Sequence, residues 1–168
     1  MSTKETAMPE TTYVIEPGKQ EIITTTVLDA PRELVFRAYT DPKLFARWWG
    51  PRRYENKIVK FDSRAGGEWR VVQRGADGRE HGFRGVNHDV VAPERICQTF
   101  EYEGFPGHVA LQTATFEPLG NKTKVVGHVV FQSLMDRDGM VASGMKEGAD
   151  ESAERLAELL EEMKLSGR

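Results

Sequence analysis

The stretch that most restricts the fold is the last one, Gly139 to Met163. Apolar or small residues fall at Val141, Met145, Ala149, Ser152, Leu156, Leu159, Leu160 and Met163. Steps of three and four place them on one stripe of a helix. The other face carries Lys146, Glu147, Asp150, Glu151, Glu154, Arg155, Glu158 and Glu161, and is therefore wet. No other segment has a helical period of this length; nearly everything before it reads as short strands and turns. A lone amphipathic helix must bury its stripe, and the only partner available is a sheet. The sequence thus predicts an α+β fold in which one antiparallel sheet curls around this helix.

The rest of the chain supplies that sheet. Met1 to Lys19 is polar, carries Pro9, Pro17 and Gly18, and predicts a flexible tail over residues 1–18, with Tyr13–Ile15 resting on the body. Gln20 to Leu28, rich in Ile, Thr and Val, reads as the first strand. Asp29-Ala30-Pro31 and Thr40-Asp41-Pro42 each open a short helix with proline at its first turn, and Gly50-Pro51 ends the second. Six further strands are expected at Lys57–Phe61, Glu68–Arg74, Gly82–Val91, Arg95–Tyr102, His108–Glu117 and Thr123–Phe131. Turn signals separate them, Asp77-Gly78 being the clearest. This makes seven antiparallel strands, two short helices after strand one, and one domain over residues 19–164.

Composition narrows the function classes. The chain has 168 residues and a net charge of −3, with no basic block and no arginine stripe interleaved with aromatics. Nucleic acid is not an expected partner. No apolar run is long enough to cross a bilayer, and the N-terminus lacks a signal-peptide core. Cys97 is the single cysteine, so no internal disulfide is expected. A cytoplasmic location follows as the default.

The string Asp29-Ala30-Pro31-Arg32-Glu33-Leu34-Val35-Phe36, then Thr40-Asp41-Pro42 and Trp48-Trp49-Gly50-Pro51, is distinctive. Gly66-Gly67-Glu68-Trp69, Phe83-Arg84-Gly85, Val91-Ala92-Pro93-Glu94-Arg95-Ile96, Gly144-Met145, Gly148 and Glu154-Arg155-Leu156-Ala157-Glu158-Leu159-Leu160 follow in order. Over about residues 19 to 163 the chain resembles the activator-of-heat-shock-protein-90-ATPase domain family. That family lies within the helix-grip superfamily of START, birch-pollen-allergen and polyketide-cyclase domains. The resemblance implies the helix-grip fold, a cavity between the last helix and the concave sheet face, and no fixed function, since the fold carries many. Family members often place Trp directly after the glycine of the last helix. Here Ala149 follows Gly148, which implies a larger cavity or a partly exposed position.

Candidate ligand-binding residues follow from that geometry. Gly144, Gly148 and Ala149 put small residues within two turns of one helix. Glycine inside a helix costs about 1 kcal/mol relative to alanine, so two invite a reason. That reason is either room for a ligand or close packing. Met140 and Met145 nearby suit a site of adaptable shape. Trp69, Phe83 and Phe116 are the expected strand residues opposite, and Trp49 is expected at the mouth; most other aromatics build ordinary core. His88 and His128 lie in strands and are candidates to face inward. No histidine pair has metal-ligand spacing, so no metal or cofactor is expected. Cys97 has no basic neighbour and reads as an inert small hydrophobe. Glu101, Asp89 and Glu68 are the acid–base candidates if any points inward beside Arg70 or Arg84.

Three readings follow. The first is a small-molecule binding protein for an apolar or amphipathic ligand. The second is a cyclase- or hydrolase-like enzyme using the same cavity. The third, a chaperone-interacting stress-response module, follows from the family name alone and is weakest for a chain of one domain; under any of the three, a monomer or homodimer is expected. Two inward polar residues in contact across the cavity favour the enzyme; an all-apolar lining favours binding; a large exposed apolar patch favours the partner module.

Overall fold

The computed structural model describes residues 8–167. Its element order is β1 (Thr11–Val14), β2 (Glu21–Leu28), α1 (Arg32–Thr40), α2 (Pro42–Trp48), β3 (Tyr54–Phe61), β4 (Glu68–Gly75), β5 (Glu80–Val91), β6 (Arg95–Tyr102), β7 (Val109–Leu119), β8 (Lys122–Val130), α3 (Leu134–Ala142) and α4 (Met145–Leu165). The eight strands form one sheet in the order β1-β2-β8-β7-β6-β5-β4-β3. Every pairing is antiparallel. The expected α+β fold, a long antiparallel sheet with a C-terminal helix, is therefore present, with two departures from the sequence expectation.

The first departure is β1. Thr11–Val14, read as tail, pairs with Ile23–Thr26 at the sheet edge and adds an eighth strand. Four residues are too short for an alternation signal to stand out. Tyr13 anchors the strand, its hydroxyl donating to Asp150 Oδ1 at 2.7 Å and to the Lys146 carbonyl at 3.1 Å on α4. Residues 1–7 of the expected tail lie outside the described residues.

The second departure is the long helix, which is two. Gly144 adopts φ 88°, a left-handed conformation that ends α3 and starts α4. Ser143 N–H closes α3 by donating to the Gly139 and Met140 carbonyls. The apolar period continues across the break, which is why the pattern alone reads as one helix. Glycine supplies the αL residue that helix ends commonly require.

Ahead of the sheet's return, the Asp41 side chain caps α2, accepting from Lys43 and Leu44 N–H, with Pro42 in the first turn. The main core joins α1, α2 and the buried stripe of α4 to the concave sheet face. Val35, Phe116, Leu156 and Leu160 lie at its centre, each 1% exposed or less except Leu156 at 2%. A second, smaller cluster centres on Ile22, Ala110 and Phe131, with Met140, Val141 and Met145 packed against it.

Candidate functional site

Between α4 and the concave face lies a cavity of about 310 Å³. Ala149, Ser152, Ala153 and Leu156 line it from α4; Tyr39, Phe45, Trp48 and Trp49 line it from α1, α2 and the turn after them. The strands contribute their inward phase, since alternate residues share a face. These are Thr24, Thr26 and Leu28 of β2, Ile96, Gln98 and Phe100 of β6, Gln112 and Ala114 of β7, and Val125, Gly127 and Val129 of β8. Trp69 and Asn87 complete the far wall.

The turn after α2 is tied down by α4. Gly50 N–H donates to Ser152 Oγ at 2.8 Å. Arg155 donates through Nη1 to the Trp49, Gly50 and Pro51 carbonyls, and through Nη2 to Arg47 O at 2.8 Å. Arg52 and Glu158 add a two-point ion pair. Burial pushes the Arg155 guanidinium down from its ordinary value, and four carbonyl oxygens replace the lost water. Gly50 has φ 81°, and a Cβ there would strike Gln73 Nε2. The result fixes Trp49 in place, stacked on Phe45 at 5.5 Å and edge-on to Phe83 at 5.2 Å and Trp69 at 6.4 Å.

Of the residues expected to hold a ligand, Trp49, Trp69 and Ala149 line the cavity. Phe83 stands behind Trp49 and packs on Phe100 and Tyr102. Phe116, 1% exposed, lies under α1 between Phe36 and Tyr39. Met140 and Met145 belong to the second cluster. Gly148 faces the turn; a Cβ there would meet Pro51 Cγ at an ordinary 3.7 Å. His88 is exposed. The pairing of β5 with β6 slips between Asn87 and Asp89, leaving His88 as the extra residue of a bulge. Asn87 and Val90 line the cavity on either side of it. His128 borders the cavity, but between inward Gly127 and Val129 its side chain stands on the convex face. There its Nε2 lies 2.5 Å from Glu21 Oε2.

The acid–base candidates also stand on the convex face, each in an ion pair. Glu101 meets Arg84 at 2.9 Å, Asp89 meets Arg95 at 2.6 Å, and Glu68 meets Lys60 at 2.8 Å. The Gly107 N–H and then Arg84 hold the Glu101 carboxyl below its usual range, and Lys60 does the same for Glu68. No Asp, Glu, Lys or Arg is among the residues lining the cavity. Among the described residues no group of three His, Cys, Asp or Glu is placed to hold a metal ion. Burial pushes the Tyr39 phenol upward, so it remains an O–H group.

The polar lining was missed in the sequence. Gln98 sits between Ile96 and Phe100, and Gln112 between Ala110 and Ala114, in phases otherwise apolar. A polar residue at an inward position of a strand is the signal that marks them.

A family model described as Activator of Hsp90 ATPase homolog 1-like protein matches residues 29–161. Many solved structures share the fold. A protein from Rhodobacter sphaeroides is 25% identical, with TM-score 0.82, over 90% of this chain and 98% of that one. Protein CV1439 from Chromobacterium violaceum is 28% identical, with TM-score 0.73, over 83% and 96%. Protein Ms6760 from Mycobacterium smegmatis is 21% identical, with TM-score 0.80, over 89% and 95%. No curated protein matches the chain. No helix among the described residues is long and apolar enough to cross a membrane.

Proposed function

The chain belongs to the Activator of Hsp90 ATPase homolog 1-like family, and we propose that it binds an uncharged, amphipathic small molecule in the cavity beneath α4. The observation that carries this reading is the lining: aromatic and aliphatic walls, amides and hydroxyls, and no Asp, Glu, Lys or Arg. At about 310 Å³ the space sits at the small end of ligand pockets, which run from about 300 to 1,000 Å³. It suits a fused bicycle more than a long lipid tail. Apolar burial at about 25 cal/mol per Å² supplies affinity, and the polar groups orient the ligand. Trp49, Trp69 and Ala149 are its principal apolar contacts.

The enzyme reading has less behind it. Two inward polar residues do touch, Gln98 and Gln112, but carboxamides neither accept nor release protons near neutral pH. The chaperone reading rests on the family name and has no residue behind it. Holding a small molecule by sequestration needs neither cofactor nor metal.

The test uses N-phenyl-1-naphthylamine, a neutral fluorescent probe, with wild type and Ala149→Trp. The wild type is expected to bind the probe. The variant is expected to fold and to weaken uptake at least tenfold, about 1.4 kcal/mol. Undiminished uptake in a folded Ala149→Trp protein would move the site away from α4.

A further inference from the structure

Gln98 and Gln112 are direct cross-strand partners on β6 and β7, on the inward phase. Gln98 Nε2 donates to Gln112 Oε1 at 3.4 Å, a long contact. Among the described residues no other hydrogen bond reaches either side chain. The pair therefore leaves Gln98 Oε1 as a free acceptor and Gln112 Nε2 as a free donor. Turning both amides over exchanges the roles and leaves the same arrangement, one wholly free amide oxygen beside one wholly free amide nitrogen. On the same wall Trp69 is 5% exposed; its Nε1–H, buried without an acceptor, packs over Gly85 of β5, where an added Cβ would lie 2.5 Å from it, so it takes no part in the amide pair. Its ring stacks on Phe100, two residues from Gln98.

The two glutamines are half-buried, so water reaches their spare amide atoms in the free protein, and a ligand that displaces this water has to replace its hydrogen bonds. Such a ligand has to be uncharged, because no Asp, Glu, Lys or Arg lines the cavity, the His128 ring is turned to Glu21 on the convex face, and a bare ion would lose its hydration. It also has to offer a donor and an acceptor close together, to meet both amides at once. We infer that the cavity selects neutral ligands carrying an adjacent N–H and C=O, as in a lactam or imide, and reads them with Gln98 and Gln112. This rests on the cavity binding a small molecule, as proposed above. A ligand that fails to pair leaves both amides stranded, so discrimination by hydrogen-bonding pattern exceeds what shape alone provides.

Three matched bicycles test it: 2-quinolinone, its N-methyl derivative, and coumarin, in which a lactone oxygen replaces the lactam N–H. Each is titrated calorimetrically and as a displacer of N-phenyl-1-naphthylamine. For the wild type, 2-quinolinone is expected to bind at least about tenfold tighter than the other two. Quinoline-2-carboxylate, an anion of like shape, is expected to bind at least about tenfold more weakly than 2-quinolinone. Gln98→Met and Gln112→Met keep the side-chain length and remove the amide. In each the lactam preference is expected to fall within about threefold while probe uptake persists, which also shows that the variant is folded. Equal binding of the three bicycles by the wild type, or a lactam preference that survives both substitutions, would overturn the inference while leaving the cavity reading in place. Absence of probe uptake by the wild type would overturn the cavity reading, and this inference with it.

Discussion

At the scale of single residues, Arg155 shows how α4 governs a neighbouring turn. Its guanidinium serves the carbonyls of Arg47, Trp49, Gly50 and Pro51. Arg155→Met keeps most of the stem but strips donors from those oxygens. The Trp49 carbonyl keeps Asn56 Nδ2 and the Pro51 carbonyl keeps Tyr54 N–H, so the loss falls on the half-buried Gly50 carbonyl and the exposed Arg47 carbonyl. At about 1 kcal/mol for a lost hydrogen bond, the melting temperature should drop by a few degrees, and Trp49 emission should shift as its ring gains freedom. An unchanged melting temperature would mean that water replaces the guanidinium without penalty. Leu156, 2% exposed on the same helix, is a pure packing case. Leu156→Ala is expected to lose about 2–5 kcal/mol in a denaturant titration; a loss under about half a kcal/mol would show that the site collapses around the smaller side chain. The sequence made Leu156 and Trp49 legible through helical period and through the Trp-Trp-Gly-Pro string. It did not reveal His88 as exposed, because a bulge shifts strand phase without any local residue preference strong enough to mark it. It also hid Gln98 and Gln112, since a strand assigned as core is scanned for its apolar residues.

At the scale of elements, the seven longer strands and both short helices were readable to within a few residues. Each has a period, a cap or a turn residue of its own: Asp41 and Pro42 for α2, the left-handed Gly78 for the hairpin between β4 and β5. What escaped were the elements defined by tertiary contact. β1 exists because Thr11 to Val14 find an open edge of β2 and because Tyr13 reaches α4. Tyr13→Phe should therefore destabilise the protein by about 0.5–1.5 kcal/mol, the ordinary net value of a lost hydrogen bond. A chain starting after Val14 should be less stable still. Thermal melts of the two distinguish the anchor from the strand; equal stability of all three proteins would make β1 an ornament. The division of the last helix likewise depends on one backbone angle. Gly144→Ala, forced into φ 88°, should cost about 1 kcal/mol.

At the scale of the whole molecule, charge and cavity are kept on opposite faces of one sheet. The convex carboxylates contribute to the acid sensitivity of the fold. Gly107 N–H and Arg84 depress the Glu101 carboxyl, and Arg70 depresses Glu103. A depressed folded-state pKa contributes stability above the unfolded value, about 4.3, and that contribution is lost as the pH falls through the folded value. Stability should thus decline below about pH 4, less steeply in Glu101→Gln, as urea midpoints across pH would show; a parallel decline in the two proteins would exonerate Glu101. The left-handed Gly144 has a consequence for motion as well. It separates α3, whose Met140 and Val141 pack on the small cluster, from α4, whose leucines hold the main core. The two clusters share β2 and β7, so the sheet holds them together, but α3 packs only on the smaller one and can open locally while α4 stays closed. Amide protons of α3 should then exchange with solvent deuterium well before those of α4, and α3 would be the part of the shell that opens first.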